Sequence, residues 1–153
     1  DLRMSRGLGD VYKRQHYTAA KLQTDLAGKK ILLVEDHKLN MEIAKKILEK
    51  KQMKVTCAYN GAEAVALFEK MPEYTFDAVI MDIRMPVMNG LEAAVAIRAG
   101  AKADAKTIPI IAMSANAFAE DMEKSRRAGM NRHVAKPVEP ERLFGVLSEI
   151  FSD

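Results

Sequence analysis

The sequence predicts an α/β protein built on a doubly wound five-stranded parallel sheet in the order 2-1-3-4-5. Three observations predict it. Short apolar runs alternate with segments of helical periodicity, the pattern of strand–helix–strand units with helices on both faces of a sheet. Three of the runs, at residues 31–34, 78–81 and 108–113, are almost wholly apolar, as strands buried on both faces must be. The other two, 53–58 and 131–135, carry Lys54 and Thr56, and Asn131 and Arg132, which suits the two edges of the sheet.

Each element has its own signal. Ile31-Leu32-Leu33-Val34 is the first strand. Leu39, Ile43 and Ile47, with Ala44 and Leu48, then recur at helical spacing opposite Lys45, Lys46, Glu49 and Lys50. Residues 53–58 alternate apolar and polar. Asn60 followed by Glu63 marks a helix start, and Ala64, Leu67, Phe68 and Met71 line one face. After the strand at 78–81, Gly90 to Ala99 is a short helix with a broad apolar face, and residues 99–104 form a loop of small residues. The run Ile108 to Met113 precedes a weakly amphipathic helix at 117–128, stopped at Gly129. The poorer strand at 131–135 follows. Leu143, Val146, Leu147 and Ile150 mark the last helix, with Pro140 in the first turn, where a missing N–H costs nothing.

Composition narrows the class. The chain has 153 residues, 48% apolar and 29% charged, which suits one globular domain. No apolar run approaches the ~18 residues of a membrane span, so no membrane contact by this segment is expected. A single cysteine, Cys57, excludes a disulfide framework and a Cys-rich zinc site. The net charge of +3 invites a nucleic-acid reading. However, seven Lys/Arg and three Asp/Glu fall within residues 1–30, which leaves 17 against 18 in the rest. Nucleic-acid binding needs a clustered basic face and is not expected here. Residues 10–15, Asp-Val-Tyr-Lys-Arg-Gln, back-translate to a string that resembles a transposon end used in preparing sequencing libraries. Residues 1–15 are therefore read as an adapter-derived or disordered leader, 16–28 as a polar linker, and 29–152 as the folded domain.

Ligands of open parallel sheets bind beyond the carboxyl ends of the strands. Strand one is followed by Glu35 and Asp36, strand three by Asp82, strand four by Ser114, and strand five by Lys136 and Pro137. Strand two is followed by Ala58, Tyr59 and Asn60, which carry no charge. Three acids, a hydroxyl and an ammonium thus converge. Two like charges at ~4 Å repel by about 4 kcal/mol at an effective dielectric of 20, so the acids call for a cation. Hard carboxylate donors without His or Cys point to Mg2+. A divalent cation, Lys136 and Ser114 around a carboxylate make a receptacle for a phosphoryl group, whose transfer needs positioning and charge neutralisation. Singly, each residue has a plainer reading. Glu35-Asp36 suits a solvated turn before a helix, Ser114 a helix cap, and Lys136 a solvated surface. His37 is expected to be exposed rather than a ligand, and Cys57 a partly buried thiol without function. Met85, Met88 and Asn89 are expected to shape the loop after Asp82.

Together, Val34-Glu35-Asp36, Met81-Asp82-Ile83-Arg84-Met85-Pro86-Val87-Met88-Asn89-Gly90, Ser114-Ala115 and Lys136-Pro137 resemble the receiver domain of two-component response regulators, over about residues 29–152. The resemblance implies a flavodoxin-like fold and a phosphoacceptor. Asp82 would take a phosphoryl group from a phosphohistidine on a histidine kinase or a histidine phosphotransfer domain. Asp36 would hold Mg2+ directly and Glu35 through water, with Asp82 and the backbone carbonyl of Arg84 as further ligands. Ser114 would swing to the phosphoryl group, Lys136 would pair with one of its oxygens, and the Lys136–Pro137 bond would be cis. The face at 114–135 would then repack. One position departs from the pattern: the switch residue, often Tyr or Phe, is His133, which is less apolar and titratable. Coupling of Ser114 to a flipping aromatic ring is therefore left open.

The linker resembles the joint before a C-terminal receiver in a hybrid sensor histidine kinase, which would place this segment in the cytoplasm. The alternative is a free-standing single-domain response regulator. This segment carries no kinase ATP lobe, so it is expected to accept phosphate rather than act as an enzyme. An aspartate-nucleophile phosphatase of the haloacid-dehalogenase type is disfavoured. It wants two acids one residue apart after the first strand, whereas Asp82 lies on the third and is followed by Ile83 and Arg84. A receiver that serves only as a docking surface is disfavoured because all five site groups are present.

Overall fold

The computed structural model describes residues 26–115 and 119–152. Strands and helices alternate: β1 (Lys30–Val34), α1 (Lys38–Lys50), β2 (Lys54–Ala58), α2 (Gly61–Lys70), β3 (Ala78–Asp82), α3 (Gly90–Arg98), β4 (Ile110–Ser114), α4 (Ala119–Arg127), β5 (Arg132–Ala135) and α5 (Pro140–Phe151). All strand pairs are parallel and the sheet order is β2-β1-β3-β4-β5, as the strand compositions predict. Every residue of β3 and β4 is buried, whereas the edge strands β2 and β5 are only partly so.

Period-two alternation along the strands divides the core. Leu32, Val34, Val79, Met81, Ile110 and Ala112 face one side, where they meet Ala64 and Phe68 of α2 and Ala93, Ala94 and Ile97 of α3. Ile31, Leu33, Ile80, Ile111, Met113 and Val134 face the other, against α1 and Leu143, Phe144 and Leu147 of α5.

Three details differ from the sequence expectation. On α1 the buried stripe is Met41, Ala44 and Leu48, while Leu39 and Ile43 stand in solvent at 64% and 49% exposure. Two apolar stripes compete on this helix; the one at 41, 44 and 48 faces the sheet, and Ile47 packs partly buried at its edge. Leu26, assigned to the linker, is fully buried in the core, and the following Gly28 donates its amide to Gln52 O at 2.8 Å. The fourth strand begins at Ile110 rather than 108, because Pro109 has no N–H to offer the ladder. The expected leader, the linker up to residue 25, and residues 117 and 118 of the expected fourth helix lie outside the described residues.

Two features fix the loop after β3. Asn89 caps α3 by accepting from Glu92 N at 2.8 Å, and the Glu92 side chain returns a bond to Asn89 N, a capping box. Gly90 lies directly on the backbone of Asp82 and Ile83, and an added Cβ would collide with Asp82 O and approach Ile83 Cα to 2.9 Å. Arg98 closes the other end of α3. Its guanidinium donates to Gly129 O, Ala105 O and Asn131 Oδ1, and Asn131 Oδ1 also accepts from Ile110 N.

Gly90→Ala is expected to destabilise the fold by about 3 kcal/mol, because the obstruction is backbone and cannot turn away. Gly145→Ala, in α5 with nothing within 4 Å of the added carbon, is expected to be neutral or to gain up to about 1 kcal/mol. Urea denaturation midpoints of the two variants check the contrast.

Candidate functional site

The carboxyl edge of the sheet gathers the charged groups. Glu35 follows β1 directly, and its amide donates to Ala58 O across the β1–β2 pair at 3.1 Å. Its side chain is buried, at 2% exposure, whereas that of the adjacent Asp36 is exposed. Asp82 ends β3 and Ser114 ends β4, both buried. Lys136 follows β5, with its amide held by Ser114 O at 2.8 Å, and the Lys136–Pro137 bond is cis. The Lys136 ammonium donates to Glu35 Oε2 at 2.7 Å and to Asp82 Oδ2 at 2.8 Å. Three of the predicted groups thus form one bonded unit.

Oxygens of Glu35, Asp36 and Asp82 all lie within 4.8 Å of one another. One ammonium against three carboxylates leaves an excess of negative charge. The remaining bonds are backbone: His37 N to Glu35 Oε1 at 3.2 Å and Arg84 N to Asp82 Oδ1 at 3.3 Å. A carboxylate oxygen has two lone pairs, so each of these four oxygens keeps one for a further partner. Hard oxygen donors in close array, with negative charge in excess, fit a small divalent cation such as Mg2+. At Arg84 it is the amide that touches Asp82. His37 is exposed, as expected.

Electrostatics follow from burial. Burial pushes the Glu35 carboxyl up, the Lys136 hydrogen bond pulls it down, and the charge on Asp82 pushes it up again; the net direction is up. Burial pulls Lys136 down, but its bonds to Asp82 and Glu35 outweigh that and hold it above the usual lysine range.

Ser114 Oγ lies 3.0 Å from His133 Nε2. Sequence reasoning placed both residues but missed the bond between them. The β4–β5 register sets Ala112 opposite His133 and Ser114 opposite Ala135, so that the two side chains share a face, and no sequence signal fixes that register. Beside the cluster, Asn40, Ile43, Ala44, Pro137 and Val138 line a groove of about 350 Å³ that also reaches Glu35 and Lys136.

A parallel sheet of this order, with three carboxylates, a serine and a lysine at its carboxyl edge, defines an α/β domain built to receive a phosphoryl group. The family profile of the response regulator receiver domain matches residues 31–148, and the chain belongs to that family. It is 35% identical over 127 residues to a hybrid signal transduction histidine kinase I of Dictyostelium discoideum, covering 82% of this chain but 7% of that protein. The receiver domain of the sensor histidine kinase PA1611 from Pseudomonas aeruginosa PAO1 superposes with a TM-score of 0.74 at 36% identity. That alignment covers 83% of this chain and 100% of that one, whose active-site cleft coordinates a magnesium ion. The receiver domain of Ssk1 from Saccharomyces cerevisiae, crystallised with the histidine phosphotransfer protein Ypd1, superposes with a TM-score of 0.70 at 27% identity. That match covers 80% of this chain and 88% of that one. Among the described residues, no helix is long and apolar enough to cross a membrane.

Glu35 and Lys136 give the site a pH signature. Each has a folded-state pKa above its unfolded value, so its contribution to stability is present below the unfolded value and lost as pH rises through the folded one. For Lys136 that loss lies in the alkaline range. For Glu35 it begins in mild acid, so ionised Glu35 is a cost at neutral pH that a bound cation offsets. The rise in Tm on adding Mg2+ is therefore expected to grow as pH rises from the ordinary carboxylate range towards neutrality. Asp36→Asn is expected to shrink that rise at every pH, and calorimetry with and without Mg2+ reads both effects.

Proposed function

We propose that Asp82 is the phosphoacceptor of a two-component phosphorelay. The observation that carries this reading is the Asp82 carboxylate itself, held by Lys136 at 2.8 Å and clustered with Glu35 and Asp36. Asp82 attacks the phosphorus of a donor phosphohistidine. The P–N bond breaks, its electron pair leaves with the imidazole, and Asp82 becomes an acyl phosphate. Lys136, already on Asp82, moves onto a phosphoryl oxygen. Asp36, Asp82 and the Arg84 carbonyl, with Glu35 through water, would hold Mg2+, which would supply neutralisation of the phosphoryl charge. Ser114 turns its hydroxyl to the phosphoryl group, and the face at 114–135 repacks around it. A local charge change thereby biases a two-state element.

The domain accepts and loses phosphate but turns over no metabolite, so it is a signalling module rather than an enzyme. The chain spans 7% of the curated relative described above, and we place it as the C-terminal receiver of a cytoplasmic hybrid-kinase segment. Its donor is a helical histidine phosphotransfer domain or a kinase. The groove at Ile43 and Val138, with the exposed Leu39 nearby on α1, gives the donor's apolar helix face a seat next to Lys136.

With a phosphorylated histidine donor and Mg2+, the wild-type chain is expected to take transient, hydroxylamine-labile label, and Asp82→Asn is expected to take none. Label retained by Asp82→Asn at the wild-type rate overturns the assignment. Absence of label on the wild type makes the domain a docking module, and steady release of product from a small phosphate ester makes it a hydrolase.

A further inference from the structure

Charge is segregated along this sheet. Its carboxyl edge holds Glu35, Asp36 and Asp82, whereas the β1–β2 corner of its amino edge holds Lys29, Lys30, Lys50, Lys51 and Lys54. Backbone pairing brings the five together. Lys30 and Lys54 are register partners, Lys54 N donates to Lys29 O at 2.8 Å, and Gly28 N donates at 2.8 Å to the carbonyl of Gln52, the residue after Lys51. Lys50 ends α1. Lys29 Nζ stands 4.9 Å from the ring centroid of Phe151, and Lys51 Nζ 5.2 Å from that of Phe144, both rings on α5. The corner thus joins the starts of β1 and β2, the end of α1 and one face of α5.

Lysines at a helix C-terminus ordinarily answer the helix dipole, and that accounts for Lys50 and Lys51. It does not account for Lys29, Lys30 and Lys54, which precede or open strands. Nor do nearby acids neutralise the group. Asp77 gives its Oδ2 to the Lys30 amide at 2.7 Å. Among the described residues, none of the five ammoniums forms an ion pair. Lys30, Lys50 and Lys54 are exposed. A concentration of one sign of charge at one corner raises a local potential that attracts an anionic partner.

We propose that this corner seats the domain on an anionic lipid surface. Three observations favour lipid over another polyanion. No arginine is among the five. A guanidinium fork recognises single carboxylates and phosphates in a fixed geometry, whereas lysine point charges suit a diffuse layer of headgroups. Phe151, under Lys29, and Ile150 are half-buried at the end of α5, which gives the corner an apolar tip to enter the headgroup region. Finally, five-residue strands set the corner about 16 Å from the carboxyl edge, so a domain lying on lipid by its lysines turns Asp82 towards solution. Such a contact needs no membrane-spanning helix. It does not depend on the reading of Asp82 as phosphoacceptor, because the lysines attract anions whether or not Asp82 carries a phosphoryl group.

The test is sedimentation of the full 153-residue chain with vesicles of phosphatidylglycerol and phosphatidylcholine, set against vesicles of phosphatidylcholine alone. Binding to the anionic vesicles only, weakened by salt, is expected. Lys30→Gln, Lys50→Gln and Lys54→Gln combined remove three charges and leave both ring contacts in place. That variant is expected to bind about a hundredfold more weakly, about fivefold for each lysine. Lys38→Gln, Lys124→Gln and Arg142→Gln combined remove the same charge elsewhere and are expected to leave binding close to wild type. No binding by the wild type, or an equal loss in the two variants, overturns the proposal. So does a first variant that melts cooperatively and binds vesicles as the wild type does but loses binding to duplex DNA or polyglutamate, since the corner then seats that polyanion. With Mg2+ and a phosphorylated histidine donor, label is expected to enter vesicle-bound protein as it does in solution. Label in solution but none on vesicles overturns the proposed orientation. Absence of label in both removes the phosphoacceptor reading and leaves the lipid seat to stand or fall on the sedimentation.

Discussion

One ammonium ties the carboxyl edge of this sheet together. Lys136, after the last strand, reaches across to a carboxylate behind β1 and to another at the end of β3. Three strands distant in sequence are locked at one point by two bonds to a single nitrogen. The lock is incomplete, because three carboxylates crowd around one cation. Removing one partner of a buried ion pair leaves an uncompensated charge, so Lys136, Glu35 and Asp82 depend on one another. An arrangement that coheres and yet remains short of positive charge is poised to take up a metal ion.

The loop after β3 is anchored at both of its ends. The Asp82 carboxylate sits on the last residue of a fully buried strand, with Gly90 pressed on its backbone and the Asn89 cap starting the next helix beside it. Exposed backbone strain is tolerated in the intervening turn, where Val87 adopts φ 68° at 85% exposure. A β-branched residue in that region is costly, which suits a turn held by its anchors rather than by its own preference.

Much of this was legible in the sequence, for physical reasons that differ by element. Strand order could be read because polar residues can afford only the edges, as Lys54 and Arg132 show. Site composition could be read because strand ends in open parallel sheets converge. The face of α1 could not: Leu39-Ile43-Ile47 and Met41-Ala44-Leu48 both satisfy helical periodicity, and only the docked sheet chooses between them. Nor could the unequal burial of Glu35 and Asp36, which are adjacent and chemically alike. The Ser114–His133 bond depends on register between β4 and β5, which no local pattern encodes.

The Arg98 guanidinium bears on how far any rearrangement travels. It grips the turn before β5 at Gly129 and Asn131 from the end of α3, and Asn131 in turn grips the first residue of β4. The exit of α4 is therefore clasped to the end of α3 and, through Asn131, to the first residue of β4. Such a clasp acts as a stop: a rearrangement on the α4 side would have to break it before reaching the amino end of β5 or the far half of the sheet.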